Sequence, residues 1–416
     1  MKVLWLSHLV PYPPKGGVLQ RSYYLLREAA KYHEIHLVAF VQKALLRNCF
    51  ASIAEGLETS RHSLSEFCAS VRFVPIPSER HRLGRGWLYF RSLFTVDPCT
   101  INWLKSREMC EALQDIVERT SFDVVHFDTI SLGPYVRHFP HQRTILNHHN
   151  IESHMMLRRA KDEPNLLKKL YLYQEGIKLR RYERRACQRI ALNITCSKLD
   201  SERLLEVVSP IDVVEVPNGV DLQYFAGSAD QTDSARLIFA GRLDAYPNRR
   251  AALFIAEKLW PLLRREFPEV CFDIVGANPP RRLIELSKND HSFRVHGFVA
   301  DVRPYLEQAA VYVCPITDGG GTKLKILDAL AMKKAIVADP IACEGIEVVN
   351  GESVLFASSP EDYVCNIKLL LRDLEKRRTM GERGRQLVAQ KYAYDKLGKK
   401  LVQAFMGAQK TPTFDH

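Results

Sequence analysis

The feature of this sequence that most constrains its fold is a regular alternation of short apolar, β-branched runs with longer helical segments. Such β-α-β alternation predicts a parallel sheet with right-handed crossover connections. The predicted strands of the first half are Val3 to Leu6, Ile35 to Phe40, Val71 to Ile76, Val124 to Phe127 and Thr144 to Leu146. Those of the second half are Leu237 to Ala240, Cys271 to Val275, Ser292 to Val295, Val311 to Cys314 and Ala335 to Ala338. We therefore expect an α/β protein with two Rossmann-like, doubly wound parallel-sheet domains that face each other across a cleft.

The chain's length of 416 residues is sufficient for two such domains of about 200 residues each. The join is predicted near Val213 to Pro217, where a strand-like VVEV runs into the turn signal PNG. We predict an amino-terminal domain over 1–214, a carboxyl-terminal domain over 215–390, and a final helix and tail over 391–416 that can cross back to the first domain. The ligand site is expected in the cleft, at the carboxyl ends of both sheets.

Hydropathy and cysteine usage together predict a cytoplasmic protein. The opening MKVLWLSHLV is interrupted by Ser7 and His8, and prolines follow it, so we interpret it as a buried strand and not as a signal peptide. No apolar run approaches the roughly 20 residues that a membrane span needs. The ten cysteines are scattered without a C-x-x-C pair, which argues against a disulfide framework and against a structural zinc site.

A net charge of +11 predicts an anionic partner. The most basic stretch is 155–189. One interpretation of this stretch is a solvated helical face; the other is a peripheral contact with an anionic membrane or a lipid-linked phosphate at the inner face of the membrane. Nucleic acid is not expected as a partner, because the stretch has no recognisable nucleic-acid-binding module.

The strongest local signal is CPITDGGGTKLKILDALAM, Cys314 to Met332, which has the pattern of a strand, three glycines and a helix. Glycine lets the backbone approach a ligand closely, and the free N–H groups at a helix N-terminus can bind phosphate. We therefore predict a phosphate-binding loop at Gly319, Gly320 and Gly321, continued by Thr322. The alternative is a glycine-rich turn before an ordinary amphipathic helix.

The same segment predicts a cation and a carboxylate beside the glycine loop. Gly321, Lys325 and Asp328 are spaced i, i+4 and i+7 and so share one helix face. Lys325 could neutralise a diphosphate, and Asp328 could accept hydrogen bonds from ribose hydroxyls. Lys323, in the first turn, could also reach the phosphates.

A second cationic element is FAGRL, in which Gly241 and Arg242 follow directly on a predicted strand. Arginine suits phosphate because it is always charged and forms forked hydrogen bonds. Taken alone, the motif is equally compatible with a surface arginine.

In the first half, Gly16 and Gly17 precede a helix predicted to begin near Val18, with Arg21 in its first turn. This loop is predicted to face the phosphates of a ligand, because helix N-termini attract anions. A plain strand-turn-helix connection is the alternative.

Polar side chains also follow two predicted strands of the first half. His126 and Asp128 come at the end of DVVHF, and His149, Asn150 and Glu152 follow the next strand. A histidine at such a position could orient a substrate or stabilise charge that develops on it, although each is as compatible with a structural role. No metal site is predicted from His148 and His149, since neighbours in a strand point apart.

The sequence resembles glycosyltransferase family 4, whose members are retaining enzymes with the GT-B fold. The segments that carry the resemblance are VPNGVDLQYF (Val216 to Phe225), FAGRL, IVGANPP (Ile274 to Pro280), HGFVADVRPYLEQA (His296 to Ala309), GGGTKLKILDALAM and VADPIACEGI (Val337 to Ile346). The amino-terminal half is similar to a bacterial branch associated with exopolysaccharide synthesis, through PYPPKGGVLQRSYYLL (Pro11 to Leu26) and NHHNIES (Asn147 to Ser153).

The resemblance implies transfer of a sugar from a nucleoside-diphosphate sugar, bound by the carboxyl-terminal domain, to a glycan or lipid-linked acceptor on the amino-terminal side. It implies a metal-independent, front-face mechanism in cell-surface polysaccharide synthesis, with no cofactor. Arg242 matches the arginine that holds the donor diphosphate, and Asp328 stands where the family has a ribose-binding glutamate. The stretch around Gly276, and His296 to Phe298, would flank the nucleobase.

In the amino-terminal domain, the loop at Gly16 and Gly17, with Arg21, would face the donor phosphates and the acceptor. His126 would have a catalytic role, and the acceptor side would hold His149, Asn150 and Glu152.

The sequence departs from the family pattern at two positions. Gly320 replaces a glutamate that touches the donor sugar in many relatives, and Asp318 could substitute for it. Asn248 stands where many relatives have a phosphate-binding lysine, and we expect Lys323 and Lys325 to supply that charge. A catalytically silent nucleotide-sugar-binding subunit and a nucleotide-sugar epimerase are the alternatives. A dinucleotide oxidoreductase is not favoured, because no G-x-G-x-x-G follows the first strand of either half.

Overall fold

The structure is a computed structural model that describes residues 1–80, 84–227, 235–318 and 321–407. The chain divides into two compact units, of which the first comprises Met1–Pro217 together with the chain from Tyr394 onward, and the second comprises Asn218–Ala393. Each unit is built on one parallel sheet, so the predicted fold of two Rossmann-like α/β domains is confirmed.

The first unit contains a seven-stranded sheet in the order β3-β2-β1-β4-β5-β6-β7. Its strands are β1 (Lys2–Ser7), β2 (Glu34–Val41), β3 (Ser70–Pro75), β4 (Val124–Phe127), β5 (Arg143–Asn147), β6 (Leu192–Thr195) and β7 (Val213–Glu215). Alternate residues of a strand face opposite sides of a sheet. Val3 and Trp5 therefore pack into one hydrophobic cluster, and Leu4 and Leu6 pack into another.

The second unit contains a six-stranded sheet in the order β10-β9-β8-β11-β12-β13. Its strands are β8 (Arg236–Ala240), β9 (Cys271–Val275), β10 (Phe293–Gly297), β11 (Val311–Cys314), β12 (Ala335–Ala338) and β13 (Leu355–Phe356). The central strands β8, β11 and β12 are near-continuous apolar runs, as expected for a parallel sheet that is covered on both faces.

Helices connect the strands of both sheets. They are α1 (Gly17–Ala30), α2 (Lys43–Arg47), α3 (Ile53–Ser65), α4 (Gly84–Leu93), α5 (Cys99–Trp103), α6 (Arg107–Arg119), α7 (Glu152–Asp162), α8 (Leu166–Cys187), α9 (Lys198–Val207), α10 (Tyr246–Phe254), α11 (Trp260–Glu266), α12 (Arg281–Asn289), α13 (Arg303–Gln308), α14 (Leu324–Ala331), α15 (Pro360–Arg372), α16 (Leu374–Lys391) and α17 (Tyr394–Met406). Among these helices, none combines the length and the apolar character that crossing a membrane requires.

The last helix, α17, belongs to the first unit and packs on α1. The rings of Tyr24 and Tyr394 stack with their centroids 4.5 Å apart, and Phe405 lies against Trp5 of β1. An added Cβ on Gly398 would collide with the side chain of Glu28, so glycine permits the two helices to approach closely. The end of the chain thus completes one face of the first sheet.

In both sheets the strand order reverses at one point, between β1 and β4 in the first sheet and between β8 and β11 in the second. Open α/β sheets bind ligands in the crevice outside the carboxyl ends of the strands at such a reversal. The residues that follow β1 and β4, and those that follow β8 and β11, therefore define the two places where functional side chains are expected.

Candidate functional site

In the second unit, the loops after β8 and β11 are joined through one side chain, Asn248. Its Nδ2 donates to the carbonyl of Arg242, 2.8 Å away, and its Oδ1 accepts from the ammonium of Lys325 at 2.5 Å. The Lys325 Nζ also lies 4.9 Å from the ring centroid of Phe239 in β8, a cation–π distance. The structure thus brings the predicted elements FAGRL and GTKLK together, with the Lys325 ammonium between them.

Close backbone packing explains two glycines of this site. A Cβ on Gly241 would collide with the Lys325 ammonium, and a Cβ on Gly276 would collide with the Gly241 carbonyl oxygen. Gly276 therefore lets the loops after β8 and β9 approach each other, and Gly241 leaves room for the Lys325 ammonium.

Burial shifts the ionisation of both charged groups of α14. It lowers the pKa of Lys325 to about 8 and raises the pKa of Asp328 to about 8, because transfer out of water disfavours the charged form of each group. The Asp328 Oδ1 is buried, and no described residue donates a hydrogen bond to it. The site therefore holds a partly desolvated cation and an acceptor oxygen that is available to a hydroxyl group of a ligand.

The other predicted cations lie around this centre. The guanidinium of Arg242 is half-exposed and pairs with Asp244, with Nη2 2.7 Å from Oδ2, and this pairing lowers the pKa of Asp244. The Nζ of Lys323 donates to the carbonyl of Gly321 at 2.9 Å. Both side chains are long and keep exposed surface, so they can turn toward a bound anion at small cost.

The glycine loop itself is partly described. Gly319 and Gly320, predicted to contact phosphate, lie outside the described residues. Gly321 has φ +67°, in the left-handed region that favours glycine. Asp318 is buried, as is Thr322, whose carbonyl accepts from Asn218 at 3.4 Å.

The loops after β9 and β10 carry the residues predicted to flank a nucleobase. Gly276 directly follows β9, and Phe298 directly follows β10 with its ring largely exposed. Next to it, the His296 Nε2 lies 2.6 Å from Asp273 Oδ1, and its ring lies 4.6 Å from that of Tyr305. An exposed aromatic ring at a strand end is suited to stacking on a base.

In the first unit, the buried carboxylate of Asp128 is the centre of a polar network at the strand-order reversal. Its Oδ2 accepts from Ser22 Oγ at 2.6 Å and from Ser7 Oγ at 3.3 Å, and its Oδ1 accepts from Asn147 Nδ2 at 3.1 Å. The Nε2 of His149 lies 3.3 Å from Oδ1. Burial alone would raise the pKa of Asp128, but His149 and His8 hold it well below its usual value.

Among the described residues, one group of side chains could hold a metal ion, and it belongs to this network. One ligand atom from each of His8, Asp128 and His149 lies within 4.8 Å of the others. Ser22 and Asn147 already donate to both Asp128 oxygens, so the arrangement is equally that of a carboxylate satisfied by hydrogen bonds.

Arg21, predicted to face the donor, is 1% exposed and extends inward. Its Nη1 donates to the carbonyl of Pro217 at 2.8 Å, and its Nη2 donates to Asn147 Oδ1 at 2.8 Å. Gly17 begins α1, and open space surrounds its Cα. The α1 N-terminus is therefore accessible, while Arg21 connects the polar network to the end of the first unit.

The predicted histidines lie in different surroundings. His126 is buried with its ring centroid 3.8 Å from that of Trp5 and 5.8 Å from that of Phe405, and burial lowers its pKa to about 3, so the ring is neutral. His149 contacts Asp128, and the ring centroid of His8 lies 5.5 Å from that of His149. Asp128 thus has His149 beside it, while the His126 ring lies among aromatic side chains.

Sequence reasoning did not assign Ser7, His8, Ser22 or Asn147 to the site. Ser7 and Asn147 end strands β1 and β5, and His8 directly follows β1. Because ligands bind near the carboxyl ends of the strands in such sheets, these positions could have identified the three residues as candidates. Ser22 lies inside α1, where no sequence pattern distinguishes it from a core residue.

Glu152, predicted on the acceptor side next to Asn150, forms part of a buried carboxyl pair. Burial raises the pKa of Glu152 to about 7, with a further contribution from Glu183. Burial likewise raises the pKa of Glu183 to about 7, and the Glu183 Oε1 accepts from the Ser153 N–H at 3.1 Å.

This pair predicts a pH-dependent stability. The pKa values in the folded state lie above those of the unfolded chain, so the folded state holds protons that the unfolded state has released, and stability falls as pH rises toward and through about 7. Glu183→Gln removes one of the two carboxyl groups, so we expect the fall in the free energy of unfolding with rising pH to become smaller by roughly 2 kcal/mol. The amide oxygen can still accept the hydrogen bond from the Ser153 N–H. Urea unfolding at about pH 5 and about pH 8.5, with exposed Glu118→Gln as the control, measures it. Parallel pH profiles for all three proteins would contradict the prediction.

Comparisons with known proteins agree with this geometry. The family model described as Glycosyltransferase Family 4 matches residues 15–224, and the model described as Glycosyl transferases group 1 matches residues 234–373. An uncharacterized 44.6 kDa protein in the cps region of Klebsiella pneumoniae is 22% identical over 384 residues, which are 88% of this chain and 92% of that protein.

Two solved structures are similar over almost the whole chain. Sucrose-phosphate synthase from Thermosynechococcus elongatus superposes with a TM-score of 0.70 at 16% identity, covering 98% of each chain. HepE from Anabaena, solved in complex with UDP-glucose, superposes with a TM-score of 0.63 at 14% identity, covering 98% of this chain and 99% of that one. At these identities the likeness concerns the fold.

Proposed function

The chain belongs to glycosyltransferase family 4 and has the GT-B fold, and we propose that it is a retaining enzyme acting on a nucleoside-diphosphate sugar. The acceptor would be a glycan or lipid-linked molecule in cell-surface polysaccharide synthesis. The observation that carries the proposal is the Lys325 ammonium, which Asn248 holds between the loops after β8 and β11, at the strand-order reversal of the second sheet.

Each part of the donor has a chemically suitable partner in the second unit. Lys325, Arg242 and Lys323 would stabilise the diphosphate as negative charge builds on it during departure of the sugar. Asp328 would bond the ribose through its unpaired oxygen. The exposed Phe298 ring would cover one face of the base. The complex of HepE with UDP-glucose supports a uridine nucleotide as the first donor to test.

We propose that the three cationic side chains make a metal unnecessary for departure of the diphosphate. In retaining front-face transfer, the departing phosphate takes the proton of the acceptor hydroxyl, and the protein contributes mainly positioning and charge stabilisation. Part-buried Lys325 suits this role, because its charge is poorly solvated in the free protein and is best compensated when negative charge develops beside it.

The acceptor is assigned to the Asp128 network. Asp128 orients His149, and His149 is our choice for the histidine that contacts the acceptor. The role predicted for His126 would require its ring to leave the contact with Trp5. Gly17, Asn150 and Glu152 remain proposed neighbours of the substrates on this side.

The stereochemical proposal is tested by the anomeric configuration of the product, read from proton NMR coupling constants. Transfer from an α-linked nucleotide-sugar should give an α-glycoside. A β-glycoside would contradict retention while leaving sugar transfer intact. Conversion of a nucleotide-sugar to its epimer in the absence of an acceptor would show that the protein is an epimerase and not a transferase.

A further inference from the structure

The first unit exposes an unusual concentration of large hydrophobic side chains at one place. The described residues include nineteen large hydrophobic side chains that are exposed. Nine of them lie in two segments, 87–96 and 166–173. Trp87 is 63% exposed, Phe94 78% and Leu167 80%. Single exposed apolar residues are ordinary on a protein surface, whereas a contiguous group marks an interaction site.

The two segments lie side by side and form one surface, which we call the aromatic patch. The Gln174 Nε2 of α8 donates to the carbonyl of Leu93, and the Lys178 Nζ donates to the carbonyl of Ser92 at 2.7 Å. The rings of Tyr89 and Tyr171 lie 6.4 Å apart. Helix α4 and the first turns of α8 therefore hold each other in place while their apolar side chains point outward.

Within the patch the aromatic rings form a continuous row. The centroids of Trp87 and Phe90 are 5.9 Å apart, and those of Phe90 and Phe94 are 5.4 Å apart. Of the described residues of α4, Ser92 is the one that is buried, so this helix contributes little to the core. An aromatic helix retained at the surface in this way calls for a partner outside the unit.

The two segments of the patch and their immediate flanks carry basic residues. Within 84–96 and 164–174 there are four basic residues and no acidic ones, namely Arg85, Arg91, Lys168 and Lys169. At the rim, Arg85 pairs with Glu79 and Lys168 pairs with Glu163. Aromatic residues together with lysine and arginine are the composition of surfaces that insert into the headgroup region of a membrane. A second copy of the chain is a poor occupant, because a two-fold contact would place these cations against their own counterparts.

We propose that the aromatic patch docks the protein onto the surface of an anionic phospholipid bilayer, with Trp87, Phe90 and Leu167 entering the interface and Lys168 and Lys169 contacting lipid phosphates. The patch shares Lys168 and Lys169 with the basic stretch 155–189. Lys168 pairs with Glu163, and Lys169 Nζ donates to the Lys161 carbonyl at 3.5 Å, contacts at the surface that lipid phosphates would replace. Further along the stretch, Lys178 and Arg184 bond backbone carbonyls, and Arg185 lies 3.8 Å from Asp97. The inference concerns attachment and does not depend on the chemistry proposed for the transferase site.

The test is flotation of the full chain with phosphatidylcholine vesicles, with and without phosphatidylglycerol. We expect the native protein to float with the anionic vesicles alone, and Trp87→Ser with Phe90→Ser and Leu167→Ser to weaken binding by about 10-fold or more. Lys168→Glu with Lys169→Glu should weaken it similarly and flatten its salt dependence. Tyr32→Ala with Ile284→Ala, which remove exposed apolar residues elsewhere, form the control.

Trp87 supplies an independent signal, since it is the exposed one of the four tryptophans: Trp5 and Trp260 are buried, and Trp103 is half-buried. Tryptophan emission should shift to shorter wavelength on addition of anionic vesicles, and Trp87→Phe should abolish most of the shift. A native protein that stays unbound, or patch variants that bind like the control, would overturn the proposal. A dimer that the patch variants dissociate would assign the surface to a second copy instead. Far-UV circular dichroism and urea unfolding, unchanged in the patch variants, show that the first unit is still folded.

Discussion

Replacing Lys325 by methionine is expected to lower the affinity of the protein for nucleoside diphosphates and their sugars on the order of 100-fold, and to lower turnover at least as much. Methionine keeps the length and apolar stem of the side chain but removes the cation that Asn248 holds between the two loops. Lys325 is part-buried, and its burial already disfavours the charged form, so loss of this charge should cost little stability. Isothermal titration with UDP and with a donor measures the loss.

Lys334 provides a matched control for this variant. It is a buried lysine of the second unit, and burial lowers its pKa to about 8 as well. It lies just before β12, at the amino ends of the strands and so away from the loops after β8 and β11. Its Nζ donates to the carbonyls of Glu307 and Ala309 at 2.9 and 3.1 Å. Lys334→Met should lower thermal stability and leave nucleotide affinity nearly unchanged. Equal loss of affinity in both variants would indicate a general disturbance of the unit.

The pKa of Lys325 adds a pH signature. A ligand that needs the ammonium charged will bind more weakly as the free protein loses that proton above about pH 8. The native affinity for UDP should therefore decline in this range, and the affinity of Lys325→Met should not. A native affinity that is flat to about pH 10 would exclude Lys325 as the phosphate-binding cation.

The second large effect is expected at Asp128, where replacement by asparagine should lower the free energy of unfolding by roughly 3 kcal/mol near neutral pH. The carboxylate accepts hydrogen bonds from Ser22, Ser7 and Asn147. In Asp128→Asn an amide NH₂ group replaces one oxygen, so at least one of these donors would lose its acceptor. Because His149 would lose the group that orients it, turnover should fall more than donor affinity. Urea unfolding and steady-state kinetics measure the two effects.

The sign of the pH dependence is fixed by the depressed pKa of Asp128. Stability from a carboxylate whose pKa is lower in the folded state is present above about pH 4 and is lost as pH falls through the folded-state pKa. The stability difference between the native protein and Asp128→Asn should therefore shrink on acidification. Asp123→Asn, at the exposed amino end of the same strand, should change stability little. A difference that grows toward low pH would contradict a buried ionised Asp128.

Sequence patterns were sufficient for most strands of both sheets, including β3 and β10 at the sheet edges, and insufficient for β6 and β13. Strand β11 is a run of four apolar residues and is recognisable by itself. Strand β6 was not predicted, because Asn193 and Thr195 interrupt its apolar character. In the structure Asn193 bonds His148 and the carbonyl of Cys187, so its polarity is satisfied inside the protein. Such compensation depends on residues distant in sequence.

The same distinction holds for the site. Arg242 and Lys325 were predicted because each follows a strand within a local motif, and their positions at one strand-order reversal follow from the topology. The Asp128 network could not be assembled in this way, because Ser7, Ser22 and Asn147 come from separate segments. The aromatic patch was missed for a further reason: hydrophobic periodicity assumes that apolar residues face the core, and in α4 they face outward.

The most direct test of the proposed function is release of nucleoside diphosphate from a panel of nucleotide-sugars by the purified protein, with a membrane lipid extract as the acceptor source. We predict that one donor is turned over, that product formation requires the extract, and that Lys325→Met abolishes turnover while Lys334→Met retains it. If the folded native protein turns over no donor, and no nucleoside diphosphate stabilises it against heating, the assignment of a nucleotide-sugar site to the loops after β8 and β11 is wrong.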